Sequence, residues 1–134
     1  KDLQQFLIIS RLNSIYLKHL KIELVKCPII REPDGLAMSS RNLLLDEEKR
    51  KSASIISQTL QKAQTNYKYF SVGELRKWVI ESINKDVNLK VEYFELVNDP
   101  DLEEILDWDQ NKKIVACVAV FAGKIRLIDN VYFN

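Results

Sequence analysis

Nine consecutive apolar residues, Ile114-Val115-Ala116-Cys117-Val118-Ala119-Val120-Phe121-Ala122, stand near the end of the chain. Side chains alternate between the two faces of a strand, so a strand that is apolar throughout must be covered on both faces. The run is too short for a membrane helix, which needs about 20 apolar residues. Gly123 allows a tight turn, and Lys124–Asn130 has the pattern of a returning strand. The stretch therefore predicts the central strand of a sheet together with an antiparallel neighbour.

The segments before this hairpin predict a third strand and two helices. Residues 90–97 have the composition of a strand. Asp46 can cap a helix, and apolar residues recur at helical spacing after it. Ser71 and Glu74 fit a capping box for the next helix. The sequence thus predicts an α+β fold in which two helices pack on a three-stranded antiparallel sheet.

The connection between the first two strands is expected to be a loop. Asp99-Pro100-Asp101 is predicted to start a short helical turn over Leu102–Leu106, with Trp108 as a packing residue beyond it. The acidic residues Glu103-Glu104 and Asp107-Asp109 have the composition of an acid pair or a metal site. Loop solubility is the better explanation, because acidic loop residues are usually solvated.

The beginning of the chain has a different pattern. Residues 2–20 lack Gly and Pro and predict a helix, whose widely spread apolar positions should be covered on more than one side. Ile22–Cys27 predicts a short strand that ends at Pro28. A helix followed by a strand is half of an α/β unit, and the chain opens at Lys1 without a Met. We therefore expect a preceding segment in a longer chain.

Charge and cysteine content restrict the class of protein. The 134 residues include 20 Lys+Arg and 19 Asp+Glu, for a net charge of +1, with 46% hydrophobic and 29% charged residues. This balance does not support a general nucleic-acid or membrane binder, although it allows a local basic patch. Cys27 and Cys117 are expected to be buried thiols of a reducing cytoplasm, the alternative being a disulfide or metal pair.

Two polar segments could carry chemistry. In Met38-Ser39-Ser40-Arg41-Asn42, hydroxyl and backbone N–H donors together with a guanidinium suit a polyphosphate, although many such loops are only helix caps or solvated turns. Lys1, Asp2 and Gln5 share one face at a helix start, where an anion can bind and Asp2 can accept ribose hydroxyls, unless this is an ordinary frayed end. The single histidine, His19, supports neither a catalytic triad nor a zinc site.

These segments make the sequence recognisable. Residues 28–42, PIIREPDGLAMSSRN, closely resemble the signature loop of the pantoate–β-alanine ligases, also called pantothenate synthetases. Lys1-Asp2-Leu3-Gln4-Gln5 resembles the Lys-Asp-aromatic-Gln-Gln helix start of that family, with Leu3 where an aromatic residue is common. Arg126-Leu127-Ile128-Asp129-Asn130 resembles the closing strand of the family. The resemblance covers essentially the whole chain, in order.

The resemblance implies a division into domains. Residues 1–28 would be the remnant of an N-terminal Rossmann-type nucleotide-binding domain, and residues 29–134 would form a C-terminal lid domain. Within the signature loop, Met38-Ser39-Ser40-Arg41 would correspond by role and position to the Lys-Met-Ser-Lys-Ser loop of class I aminoacyl-tRNA synthetases. The His-x-Gly-His-like ATP motif of the family is absent from this sequence, whose one histidine is His19. We therefore expect the chain to be inactive alone.

The resemblance also implies a reaction and a set of site residues. Pantoate and ATP would form pantoyl adenylate and pyrophosphate, and β-alanine would then displace AMP to give pantothenate. Gln5 would bind pantoate, and Mg²⁺ would be held by phosphates and water rather than by protein ligands. The residues implied for ATP are Lys1 (phosphates), Asp2 (ribose), Ile30 through its backbone and Met38 (adenine), and Ser39, Ser40 and Arg41 (phosphates). Lys1, Ser39, Ser40 and Arg41 are also the implied catalytic groups.

Two other functions compete with this interpretation. The chain could be a non-catalytic α+β module for binding or dimerisation, which a natural start codon just before Lys1 would favour over an upstream ATP motif. An RNA-contacting domain is disfavoured by the near-neutral charge and by the absence of interleaved aromatic and basic residues. The family resemblance implies small-molecule partners, no nucleic acid or membrane, and a homodimeric complete enzyme.

Overall fold

The computed structural model describes residues 1–99, 101–108 and 113–133. These residues form an α+β fold in which an antiparallel sheet has the strand order β1-β2-β3. The elements are α1 (Leu3–Tyr16), α2 (Glu47–Asn66), α3 (Val72–Asn84), β1 (Leu89–Asp99), β2 (Lys113–Ala122) and β3 (Ile125–Phe133), with short 3₁₀ turns at Lys18–Leu20, Ser40–Leu44 and Tyr67–Tyr69. The predicted pair of helices on a three-stranded sheet is confirmed.

The central strand β2 is covered on both faces, as its composition predicts. Alternate residues of β2 pack with α2 and α3 in the main core. This core includes Ile56, Leu75, Phe94 and Val118. The other face carries Val115 and Cys117, which pack against Leu3 and Leu7 of α1. Burial of apolar surface on both faces of one strand contributes roughly 25 cal/mol per Å². The sheet therefore holds α1 on the face opposite to α2 and α3.

Side chains fix the starts of α2 and α3. Asp46 accepts a hydrogen bond from the Lys49 N–H at 2.9 Å. The Ser71 hydroxyl accepts from the Glu74 N–H at 3.3 Å, and the Glu74 carboxylate accepts from the Ser71 N–H at 2.8 Å. These bonds satisfy N–H groups that lack a partner within the helix. Both predicted helix starts are confirmed.

Three expectations for the first segment are wrong. Residues 22–27 form no strand, because a strand needs a hydrogen-bonding neighbour and the described residues place none beside them. Cys27 is exposed rather than buried, whereas Cys117 is buried. The helix is covered on one side only among the described residues. Its other apolar side chains are exposed, namely Ile8, Ile9, Leu12 and Ile15.

The connection between β1 and β2 also differs from the prediction. No helical turn covers Leu102–Leu106 in the described residues, because Glu104 forms an isolated β-bridge with Val97 and Leu102 has a left-handed φ of 63°. Pro100, at the predicted start of that turn, lies outside the described residues, as does Asp109. Trp108 is a packing residue as predicted, and its indole N–H donates to the Phe70 carbonyl at 2.7 Å.

Candidate active site

The polar segment between α1 and α2 folds back on itself as a tight loop. The Met38 N–H donates to the Ile30 carbonyl at 2.9 Å, and the Glu32 N–H donates to the Leu36 carbonyl at 2.8 Å. Gly35 closes the turn with a φ of 89°, a left-handed conformation that favours glycine. The loop therefore places Ile30 beside Met38, and these two residues are 71% and 49% exposed.

Polar side chains hold the second half of this loop. The Ser39 hydroxyl accepts the Arg41 N–H at 3.3 Å and so caps the short turn that follows. Asn42 is buried, and its amide donates to the Ala37 carbonyl at 3.2 Å and to a Glu32 carboxylate oxygen at 3.3 Å. The loop backbone is thereby fixed, while Ser40 and Arg41 remain exposed.

The start of α1 meets this loop at a small cationic cavity. The Lys1 ammonium donates to the Met38 carbonyl at 2.9 Å. Lys1, Ser39, Arg41 and Arg126 are among the residues that line the cavity, whose volume is about 10 Å³. An Arg41 N–H donates to the Arg126 carbonyl at 3.3 Å, which uses one of its five donors. Three basic residues and a serine thus line one small cavity.

A second cavity of about 180 Å³ adjoins the first at Lys1. Asp2 and Gln5 line it from the helix side, and Tyr93 and Cys117 are among the residues that line it from the sheet. Burial raises the pKa of the Cys117 thiol to about 11, and the Asp99 carboxylate adds to this effect. Lys1 belongs to both cavities, whereas Gln5 lines only the larger one and Ser39 and Arg41 line only the smaller one. Among the described residues, Ser40 lines neither cavity.

Sequence reasoning missed the residues that hold these segments together. The Arg31 guanidinium forms a bidentate ion pair with the buried Asp129 carboxylate, with N–O distances of 2.7 and 3.0 Å. The Asn130 amide donates to the Lys1 carbonyl at 3.0 Å. An Asp-Asn pair inside an otherwise mostly apolar strand was the signal that could have revealed them, because buried polar groups need partners.

The described residues meet the requirements neither of a metal-binding cluster nor of a membrane-spanning helix. Over residues 1–99, 101–108 and 113–133, no group of three or more His, Cys, Asp or Glu side chains is placed to hold a metal ion. In the same ranges, no helix is long and apolar enough to cross a bilayer.

The sequence is similar to known ligases over nearly its whole length. The family model described as pantoate–β-alanine ligase matches residues 1–132. The pantothenate synthetase of Azobacteroides pseudotrichonymphae is 41% identical over 133 residues, which cover 99% of this chain and 47% of that protein. The pantothenate synthetase of Bacteroides thetaiotaomicron is 42% identical over 134 residues, covering 100% of this chain and 47% of that protein. The chain therefore spans about half the length of the curated relatives it matches.

Solved structures show the same fold. The crystal structure of pantothenate synthetase from Thermus thermophilus superposes with a TM-score of 0.85 at 31% identity, covering 98% of this chain and 46% of that one. The pantoate–β-alanine ligase of Francisella tularensis, complexed with β-γ ATP and β-alanine, superposes with a TM-score of 0.64 at 24% identity and covers 98% of this chain and 41% of that one. The second likeness is one of fold.

Proposed function

Because this chain belongs to the pantoate–β-alanine ligase family, we propose that the complete protein joins pantoate to β-alanine using ATP. In this proposal residues 1–28 complete a Rossmann-type nucleotide-binding domain, and residues 29–134 form a lid over the active site. The complete protein would act as a homodimer in the cytoplasm. Family membership supports these assignments.

The observation that carries the proposal is the convergence of Lys1, Ser39 and Arg41 on one small cavity. Ammonium, hydroxyl and guanidinium groups are the donors that polyphosphates require. Arg126 lies in the same lining, but its side chain pairs with Glu92. Lys1 and Arg41 are therefore the groups best placed to meet the phosphates of ATP, and Ser39 and Ser40 would donate beside them.

The proposed reaction has two steps. First, a carboxylate oxygen of pantoate attacks the α-phosphorus of ATP, a new C–O–P bond forms, and the bond to the β-phosphate breaks to release pyrophosphate. Second, the β-alanine amine attacks the acyl carbon of pantoyl adenylate, loses a proton, forms the amide, and displaces AMP. Neither step needs a protein nucleophile, so positioning and charge stabilisation supply the catalysis.

The other site residues are assigned by their place around the two cavities. Gln5 lines the larger cavity and would hydrogen-bond pantoate. Asp2 lines the same cavity and would accept hydroxyls of the ribose. The neighbouring, exposed Ile30 and Met38 would border the adenine, Ile30 through its backbone. Mg²⁺ dehydrates reluctantly, keeps several waters and binds through substrate phosphates in nucleotide sites. We therefore assign the metal to the phosphates of ATP and to water.

Pantoate-dependent exchange of pyrophosphate into ATP tests the proposal, because only the first step is needed to observe it. The complete protein should catalyse exchange, and Arg41→Ala should lower the rate by roughly 10²–10³. Arg76→Ala is the matched control, because Arg76 pairs with Glu95 and Glu104 on another part of the surface. No exchange by a folded complete protein would reject the ligase and leave the binding or dimerisation module.

A further inference from the structure

Two adjacent residues of β3, Asp129 and Asn130, are bonded to different parts of the candidate site. In the register of the sheet, Asp129 lies opposite Val118 and Asn130 lies opposite Cys117. Residues opposite each other share a face, and successive residues of a strand point to opposite faces. Val118 belongs to the core under α2 and α3, and Cys117 belongs to the cluster under α1. One strand thus reaches elements on both sides of the sheet.

Asp129 holds the polar loop through Arg31. The residue is 3% exposed, and its carboxylate accepts hydrogen bonds from both terminal nitrogens of the Arg31 guanidinium, at 2.7 and 3.0 Å. The same guanidinium donates to the Gly35 carbonyl at 2.9 Å, at the turn of the loop. The Arg31 guanidinium is thus bonded to two protein acceptors. These bonds fix the path of the loop that leads to Ser39 and Arg41.

Asn130 holds the start of α1. Its amide donates to the Lys1 carbonyl at 3.0 Å, and its own backbone N–H donates to the Asp129 carboxylate at 2.8 Å. The asparagine is 6% exposed, so its bond is shielded from water. The Lys1 ammonium in turn reaches the Met38 carbonyl of the loop. Together with the Arg31–Asp129 pair, these bonds connect the strand to the helix start, the helix start to the loop, and the loop back to the strand.

We propose that Asp129 and Asn130 are positioning residues that set the distance between the two phosphate-binding elements, Lys1 on one side and Ser39–Arg41 on the other. The inference rests on the proposed function and adds two residues that act through Arg31 and Lys1, and Asp129 also lines the larger cavity. A displacement of about 1 Å between reacting groups can cost roughly 10²-fold in rate. Fixing both elements to one hydrogen-bonded strand keeps that displacement small.

The test is the kinetics of exchange in the complete protein carrying Asn130→Ala or Asp129→Asn. Rates are normalised to folded protein, and KM and kcat are measured separately for ATP and pantoate. We expect kcat/KM for ATP to fall about 10-fold in Asn130→Ala and about 10²-fold in Asp129→Asn, with KM for pantoate changed less than about twofold in Asn130→Ala. Asn98→Ala and Glu104→Gln are matched controls, since Asn98 bonds Asp101 and Glu104 pairs with Arg76 away from the cavities.

Each outcome decides the inference. Normal ATP kinetics per folded molecule in Asn130→Ala overturns it, and so does failure of that variant to fold, which would make the role structural. If only Asp129→Asn fails to fold, the Asn130→Ala result decides. An inactive parent contradicts the proposed function and the inference falls with it, whereas an active parent with unaffected variants contradicts the inference alone.

Discussion

The Lys1 ammonium donates a hydrogen bond of 2.9 Å to the Met38 carbonyl, joining residues 37 positions apart. This bond brings the helix start against the polar loop at Met38. A cation with this reach can also meet an anion that approaches between the two elements. The Lys1–Met38 bond therefore joins the helix start and the polar loop, the two segments that the sequence identifies as separate candidates.

Replacing Lys1 with alanine in the complete protein should impair ATP use. We expect kcat/KM for ATP to fall roughly 10²-fold, because a charged contact to the phosphates is lost. Steady-state pyrophosphate exchange at varied ATP measures this. Lys77→Ala is the control, since Lys77 is an exposed residue of α3 that pairs with Glu81. Wild-type kinetics in Lys1→Ala would show that Lys1 does not contact the nucleotide.

Removing the Ser71 hydroxyl should destabilise the protein through the start of α3. Ser71→Ala loses the cap to the Glu74 N–H, and we expect a loss of about 1 kcal/mol in the free energy of unfolding. Denaturant unfolding of variant and parent measures the difference. Ser54→Ala is the control, because Ser54 lies inside α2, where alanine is the better helix former. Equal losses in the two variants would contradict a specific role of the cap.

The Asp34–Arg50 ion pair should make stability depend on acid pH. The Arg50 side chain holds the pKa of Asp34 below its ordinary value of 3.8, against the opposing effect of burial, and the Leu36 N–H contributes in the same direction. A carboxyl with a depressed folded pKa stabilises fully above its unfolded pKa and loses that contribution as pH falls through the folded pKa. The stability difference between the parent and Asp34→Asn should therefore shrink between about pH 5 and pH 2.

Thermal unfolding across that pH range tests this prediction. Arg50→Gln should reduce the pH dependence in the same way, because it removes the first cause of the shift. The Lys51–Glu47 pair on the open face of α2 offers a control, and Lys51→Gln should leave the Asp34 effect intact. A stability difference that stays constant as the pH falls would exclude the ion pair as its source.

Cys117 should resist alkylation in the native protein. Its pKa of about 11 keeps the thiol protonated at neutral pH, and the thiolate is the reactive form. Mass spectrometry after iodoacetamide treatment should find Cys117 unmodified in native protein and modified after denaturation, with Cys117→Ala locating the labelled peptide. Rapid labelling in the native state would show that this part of the sheet opens.

The sheet and its two helices could be predicted because their signals are local. An apolar strand such as Ile114–Ala122 can only be buried on both faces, and Ser71 with Glu74 marks a helix start whatever surrounds it. The strand predicted over Ile22–Cys27 does not form, because strand propensity does not supply a neighbour to pair with. The helical turn predicted over Leu102–Leu106 does not form, because the isolated β-bridge of Glu104 with Val97 decides the backbone there.

For the candidate site, the sequence by itself determined the chemical groups, a hydroxyl and guanidinium loop at Ser39–Arg41 and a cationic helix start at Lys1. Only the tertiary structure decided that these groups share a cavity, and that Asp129 and Asn130 hold them there. The chemical groups of the site and the helix caps can be predicted from residue type and short spacing, because each depends on residues that are close together in the sequence. Contacts between residues about a hundred positions apart depend on how the strands pair and which face each side chain takes, and these follow from packing of the whole core.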